Sequence, residues 1–165
     1  MESFALEELM SNISQSKGVD APIMFKAGTV IFAQGKTSKY LYLVKKGEVR
    51  LFKSKGTNLS AIELCGEKQI LNEIAILTNK PNELTAIAKT DVELVLIDQK
   101  DILSVIKSSP QWVPEIFETL CERLKHTQEM IEEHNLASEK DPRLVISKDD
   151  EIKYIKAISE FNSQS

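Results

Sequence analysis

Few residues in this chain could do covalent or metal chemistry, and their spacing does not suit it. Cys65 and Cys121 are the only cysteines, far apart, in no C-x-x-C pair and beside no histidine pair. A disulfide framework and a zinc site both lack their usual spacing, and the thiols read as reduced and mostly buried. His126 and His134 stand eight residues apart; that is not a metal-pair spacing, and both read as solvated or seam-edge imidazoles. No serine or cysteine is matched with a base. The expectation is a protein that is not an enzyme and holds no metal or cofactor.

The bulk properties narrow the classes further. The 165 residues are 42% hydrophobic and 28% charged, with a formal net charge of -4. A packed core is affordable and wholesale disorder is disfavoured. No Lys/Arg-rich block offers a nucleic-acid footprint. No apolar run reaches the ~18–20 residues that cross a bilayer. The sequence opens with acidic Glu2, Glu7 and Glu8, unlike a secretory leader, so a cytoplasmic protein is expected.

The elements follow from periodicity. Ala5, Leu6, Leu9, Met10 and Ile13 predict a short helix over 4–13, within an N-terminal segment 1–20. From residue 24 to 98 the pattern becomes short β-branched and aromatic runs: Val30-Ile31-Phe32, Tyr40 to Val44, Val49 to Phe52, Ala61 to Leu64, Thr85 to Ala88 and Val92 to Ile97. Gly28, Gly35, Gly47, Gly56 and Gly66 punctuate them, which predicts an all-β sandwich or barrel. Lys45-Lys46-Gly47-Glu48 reads as a tight hairpin with Gly47 at positive φ.

Beyond Asp98, a cap candidate, the pattern is helical. A short helix is expected over 100–108 and a long one over 111–135, its start bracketed by Pro110 and Pro114. Val113, Ile116, Leu120, Leu124, Thr127 and Ile131 form a stripe at spacings of 3, 4, 4, 3 and 4, close to a coiled-coil seam. A linker follows, broken at Asp141-Pro142. Ser147 to Asp150 resembles a capping signal, and Ile152, Ile155, Ile158 and Phe161 predict a last helix over 148–161. That tail, in a segment spanning 136–165, either folds back on its own domain or docks a partner.

The ordered set Phe25-x-x-Gly28-x-x-Ile31-x-x-x-Gly35, then Tyr42-x-Val44-x-x-Gly47-x-Val49, resembles the first half of the cyclic-nucleotide-binding domain. This family includes catabolite-activator type regulators and the regulatory domains of cyclic-nucleotide-dependent kinases. Asn72-Glu73-Ile74-Ala75-Ile76-Leu77 is similar to its Gly-Glu-(Leu/Ile)-Ala-Leu motif, and Pro81-Asn82-Glu83-Leu84-Thr85-Ala86 to its Pro-Arg stretch. The resemblance covers about 22–134. It implies a mainly β fold with flanking helices: a double-stranded β-helix, or jelly-roll, over 21–135 that ends in a long dimerisation helix carrying the stripe.

The resemblance also implies a ligand site. In the family, backbone N–H groups of a short helix and one arginine hold the cyclic phosphate, and the motif glutamate takes the ribose hydroxyl. By position these roles fall on Asn72, Glu73, Ile74, Ala75, Asn82, Glu83, Leu84 and Thr85, with Thr127 at a place where the family's long helix can cap the base. Thr127 reads equally as a seam residue. Glu73 keeps its role. Asn72 replaces the glycine, with a side chain expected to narrow the approach of a ligand, and Asn82 replaces the arginine, followed by acidic Glu83. Lys68 and Lys80 either compensate from the pocket rim or stand as solvated loop charges.

About thirty residues follow the long helix, too few for a winged helix and without a basic recognition helix, so no output domain is expected. Two functions remain. One is a non-enzymatic, homodimeric adaptor that contacts a separate signalling protein. The other is a sensor of cyclic AMP or cyclic GMP with a non-standard phosphate site.

Overall fold

The computed structural model describes residues 21–56, 58–133 and 142–164. The helix expected over 4–13, most of the linker, His134 and the Ile131 side chain lie outside what it describes.

Among the described residues eight strands form two four-stranded antiparallel sheets. The first has the order β1 (Ile23–Phe25), β8 (Val92–Asp98), β3 (Tyr40–Lys46), β6 (Ile70–Leu71); the second has β2 (Val30–Phe32), β7 (Thr85–Ala88), β4 (Val49–Lys55), β5 (Asn58–Cys65). This is the expected β-roll. Strand alternation sends every second residue between the sheets. There Phe25, Tyr42, Val44, Leu71, Leu94 and Leu96 of the first sheet share a core with Leu51, Cys65, Ala86 and Ala88 of the second. β1 and β6 were not anticipated, being only three and two residues long, too short to show a period.

The expected hairpin at Gly47 is corrected by the topology. β3 and β4 lie in different sheets and do not pair; the turn carries the chain across the roll. Gly47 does take φ +88, and a Cβ there would strike the Asp91 carbonyl. The opposite crossover, from β7 to β8, is stitched to it: the Glu48 N–H donates to Thr90 Oγ1 at 3.0 Å and the Lys89 N–H to the Glu48 carbonyl at 2.8 Å. The true hairpin joins β4 to β5.

Among the described residues four helices flank the sheets: α1 (Glu73–Thr78), α2 (Gln99–Ser108), α3 (Trp112–Glu133) and α4 (Lys148–Gln164), the last preceded by a 3-10 turn at Pro142–Leu144. Asp98 caps α2 as expected, its carboxylate accepting from the Lys100 N–H at 2.8 Å. α1, α2 and α3 pack on one another, with α1 against β3 and α2 against β8.

α4 folds back on its own domain. Its Tyr154, Ala157, Ile158 and Phe161 cover the outer face of the second sheet, over Val30, Ala33, Phe52, Leu59 and Ile87; the rings of Phe52 and Tyr154 lie 5.1 Å apart. The expected stripe is thereby half corrected. Ile152 and Ile155 are exposed, because residues taken three apart drift around a helix of 3.6 residues per turn. The half-buried stripe is the i, i+3, i+4, i+7 set that begins at Tyr154.

Candidate functional site

α1 begins beside β3, and the residue before it sets its direction. Asn72 adopts φ 73, ψ 18, a left-handed conformation that glycine supplies freely and asparagine tolerates. Its Nδ2 donates to the Tyr40 carbonyl at 3.2 Å, so the side chain is fastened to β3 while the backbone keeps a glycine-like path. The first-turn N–H groups, those of Glu73, Ile74 and Ala75, have no earlier helical carbonyl to bond. At the far end Asn79 is also left-handed, and the Gln99 Nε2 donates to the Ile76 carbonyl at 2.8 Å, tying α1 to α2.

Glu73 is half-buried, and its pKa is raised, first by burial and then by the carboxylate of Glu63; its own backbone N–H acts in the opposite direction. The net direction is the reverse of what an adjacent arginine would impose. Burial, then Glu63 and Glu73, push the Cys65 thiol up to about 12. Cys121 on α3 is raised by burial and by Glu73. Both thiols are therefore protonated and unreactive at neutral pH. Glu63 was not singled out from the sequence. It pairs in register with Leu51, on the inner face, two residues before buried Cys65, so the period-2 rule could have found it.

The loop at the arginine position is fixed by the bonds of Asn82. Asn82 is 3% exposed. Its Nδ2 donates to the Ala33 carbonyl at 3.1 Å, its backbone N–H to the Lys36 carbonyl at 2.9 Å, and its carbonyl accepts from the Gly35 N–H at 2.8 Å. Its Oδ1 is buried without a partner, which costs about 1–3 kcal/mol. Glu83 is exposed, Leu84 packs on the inner core, and buried Thr85 accepts from the Gln34 N–H at 3.0 Å. Lys68 has φ 68 and its N–H donates to the Val44 carbonyl at 2.8 Å; Lys80 is exposed.

Thr127 is exposed on α3, its hydroxyl donating to the Arg123 carbonyl of its own helix at 2.8 Å. Of the expected seam, Val113 is half-buried, and Ile116, Leu120 and Leu124 are 49%, 55% and 41% exposed. Trp112, Phe117 and Met130, which the seam pattern omitted, are exposed with them. Among the described residues no cluster of His, Cys, Asp or Glu could hold a metal ion, and no helix is long and apolar enough to cross a membrane.

Residues 22–109 match the cyclic nucleotide-binding domain. The chain belongs to that family. It is 30% identical over 103 residues to the cyclic AMP receptor protein of Thermus thermophilus, covering 62% of this chain and 48% of that protein. It thus spans about half the length of that relative. Among solved structures it is similar to the catabolite activator protein of the same organism, with TM-score 0.61, 25% identity, and 78% of this chain and 59% of that one covered. The fold also matches an EAL enzyme in its cAMP- and cyclic-di-GMP-bound form, with TM-score 0.61, 21% identity, and 65% and 28% coverage.

Proposed function

We propose that this cyclic-nucleotide-binding fold serves as a non-enzymatic signalling adaptor. It works in the cytoplasm through protein contacts, as a homodimer that engages a separate signalling protein. The observation that carries this reading is Asn82: at the arginine position stands a buried neutral amide committed to Ala33. Losing one charge-assisted phosphate contact costs on the order of 1.5–3 kcal/mol, roughly ten- to a hundredfold or somewhat more in affinity. Exposed Glu83 adds repulsion at the loop. The apolar residues left open on α3 support the homodimer.

Calorimetric titration with cyclic AMP and cyclic GMP tests the reading. The expected result is no saturable heat up to about 1 mM ligand; binding in the low-micromolar range would overturn it. A second reading, a cyclic-nucleotide sensor, is favoured by one observation. Glu73 still opens α1 behind a left-handed residue, which supports a ribose-binding role for it.

A further inference from the structure

The outer face of the second sheet is covered by α4, and the turn beneath α4 is also the anchor of the loop at the arginine position. Residues 33–36 serve both sides by turns. The Ala33 side chain is 1% exposed within the outer cluster that α4 covers, while the Ala33 carbonyl accepts from Asn82 Nδ2. The Gln34 N–H donates to Thr85 Oγ1, and the Gln34 side chain bridges the backbone of Ser54, accepting from its N–H at 2.8 Å. Gly35 and Lys36 hold the backbone of Asn82 from both directions. The loop then runs into β7, whose Ile87 returns to the outer cluster and whose Ala86 and Ala88 line the interior.

We propose that α4 is a strap whose docking fixes the loop at 79–84, so that releasing the strap and opening the loop are one event. The physical link is water. Asn82 is 3% exposed and its Oδ1 is buried without a partner. Such an acceptor favours any state in which water reaches it. While α4 covers Ala33, Phe52 and Ile87, the anchoring turn is packed on its outer side. With α4 lifted, those apolar side chains meet solvent, the turn loosens, and Asn82 gains hydration by leaving the Ala33 carbonyl. Leu84, which packs on the inner core, moves with the loop. An event on the outside of the roll is thereby transmitted to its interior through β2 and β7. The coupling is reciprocal: anything that opens the loop loosens the strap by the same factor. It holds whether or not the interior takes a nucleotide.

Native-state hydrogen exchange of the full chain, read residue by residue by NMR, tests the proposal. Phe161→Ser with Tyr154→Ser should free the strap and raise exchange at the Gly35 and Asn82 amides on the order of tenfold. Amides of β8 should keep their wild-type rates. Faster strap exchange with unchanged Gly35 and Asn82 would overturn the proposal, as would an equal rise throughout β8 or a wild-type strap that already exchanges without protection. The reverse arm needs no strap variant and decides the matter if the double variant does not fold. Asn82→Ala should speed exchange in 154–161 by a similar factor, and an unchanged strap there would refute the coupling.

Discussion

Glu73 is a carboxylate whose chemistry is altered by its surroundings. Burial and then Glu63 raise its pKa, so the folded state holds its proton more tightly than the unfolded chain does. The stability this contributes is fully present below the unfolded value and is lost as pH rises through the folded value. Above the unfolded value Glu73 therefore contributes less stability than it does in acid. Glu73→Gln should gain stability relative to wild type as pH rises from about 4 to 7, with the gap closing at the acid end. Urea melts across that range check it, and a gap independent of pH would refute it. The Asn72 and Asn82 replacements were visible in the sequence, but their consequences were not. Asn72 was expected to narrow the approach of a ligand; its amide bonds the Tyr40 carbonyl, a partner the sequence did not indicate. Asn82 was noted as a missing cation, whereas its bonds to residues 33–36 depend on a turn nearly fifty positions away.

At the scale of elements, the two crossovers at Gly47 and Thr90-Asp91 close one end of the roll. Gly47 combines φ +88 with a would-be Cβ 2.8 Å from Thr90 Oγ1 and from Val92 Cγ1. Alanine there meets left-handed strain of about 1–2 kcal/mol and overpacking of about 1–3 kcal/mol. Gly47→Ala should therefore cost on the order of 2–4 kcal/mol by denaturant titration, and a loss under about 1 kcal/mol would show that the crossover yields. The positive φ was readable from a glycine between two strands. The pairing was not, because a hairpin and a sheet-to-sheet crossover use the same local turn residues. The strap shows the same limit. Ser147 announces α4 and caps it, accepting from the Asp150 N–H at 3.1 Å. Which face is buried depends on a sheet lying a hundred residues upstream.

For the whole molecule, α3 leaves Ile116, Phe117, Leu120 and Leu124 open to solvent along one side. Apolar surface of this kind, on a helix with a near-heptad stripe, suits pairing with a second copy. The chain should run as a dimer at micromolar concentration by light scattering, and Leu120→Glu with Leu124→Glu should reduce it to a monomer while its circular dichroism stays that of a β-roll. A wild-type monomer would remove the dimer from the proposed function. Dimerisation and nucleotide binding are separate measurements, so failure of either leaves the other readable.

The sequence by itself determined the roll, since strand periodicity, spaced glycines and the order of apolar positions are local signals that survive substitution at the ligand motif. It also determined the capped helices and which motif positions had changed. Tertiary structure alone decided that β3 and β4 part to different sheets, that Glu63 stands near enough to Glu73 to raise its pKa, that Asn82 is committed to Ala33, and that α4 closes over the outer sheet. Each of these joins residues from separate stretches of chain, through burial and hydrogen bonds that exist only once both sheets are in place.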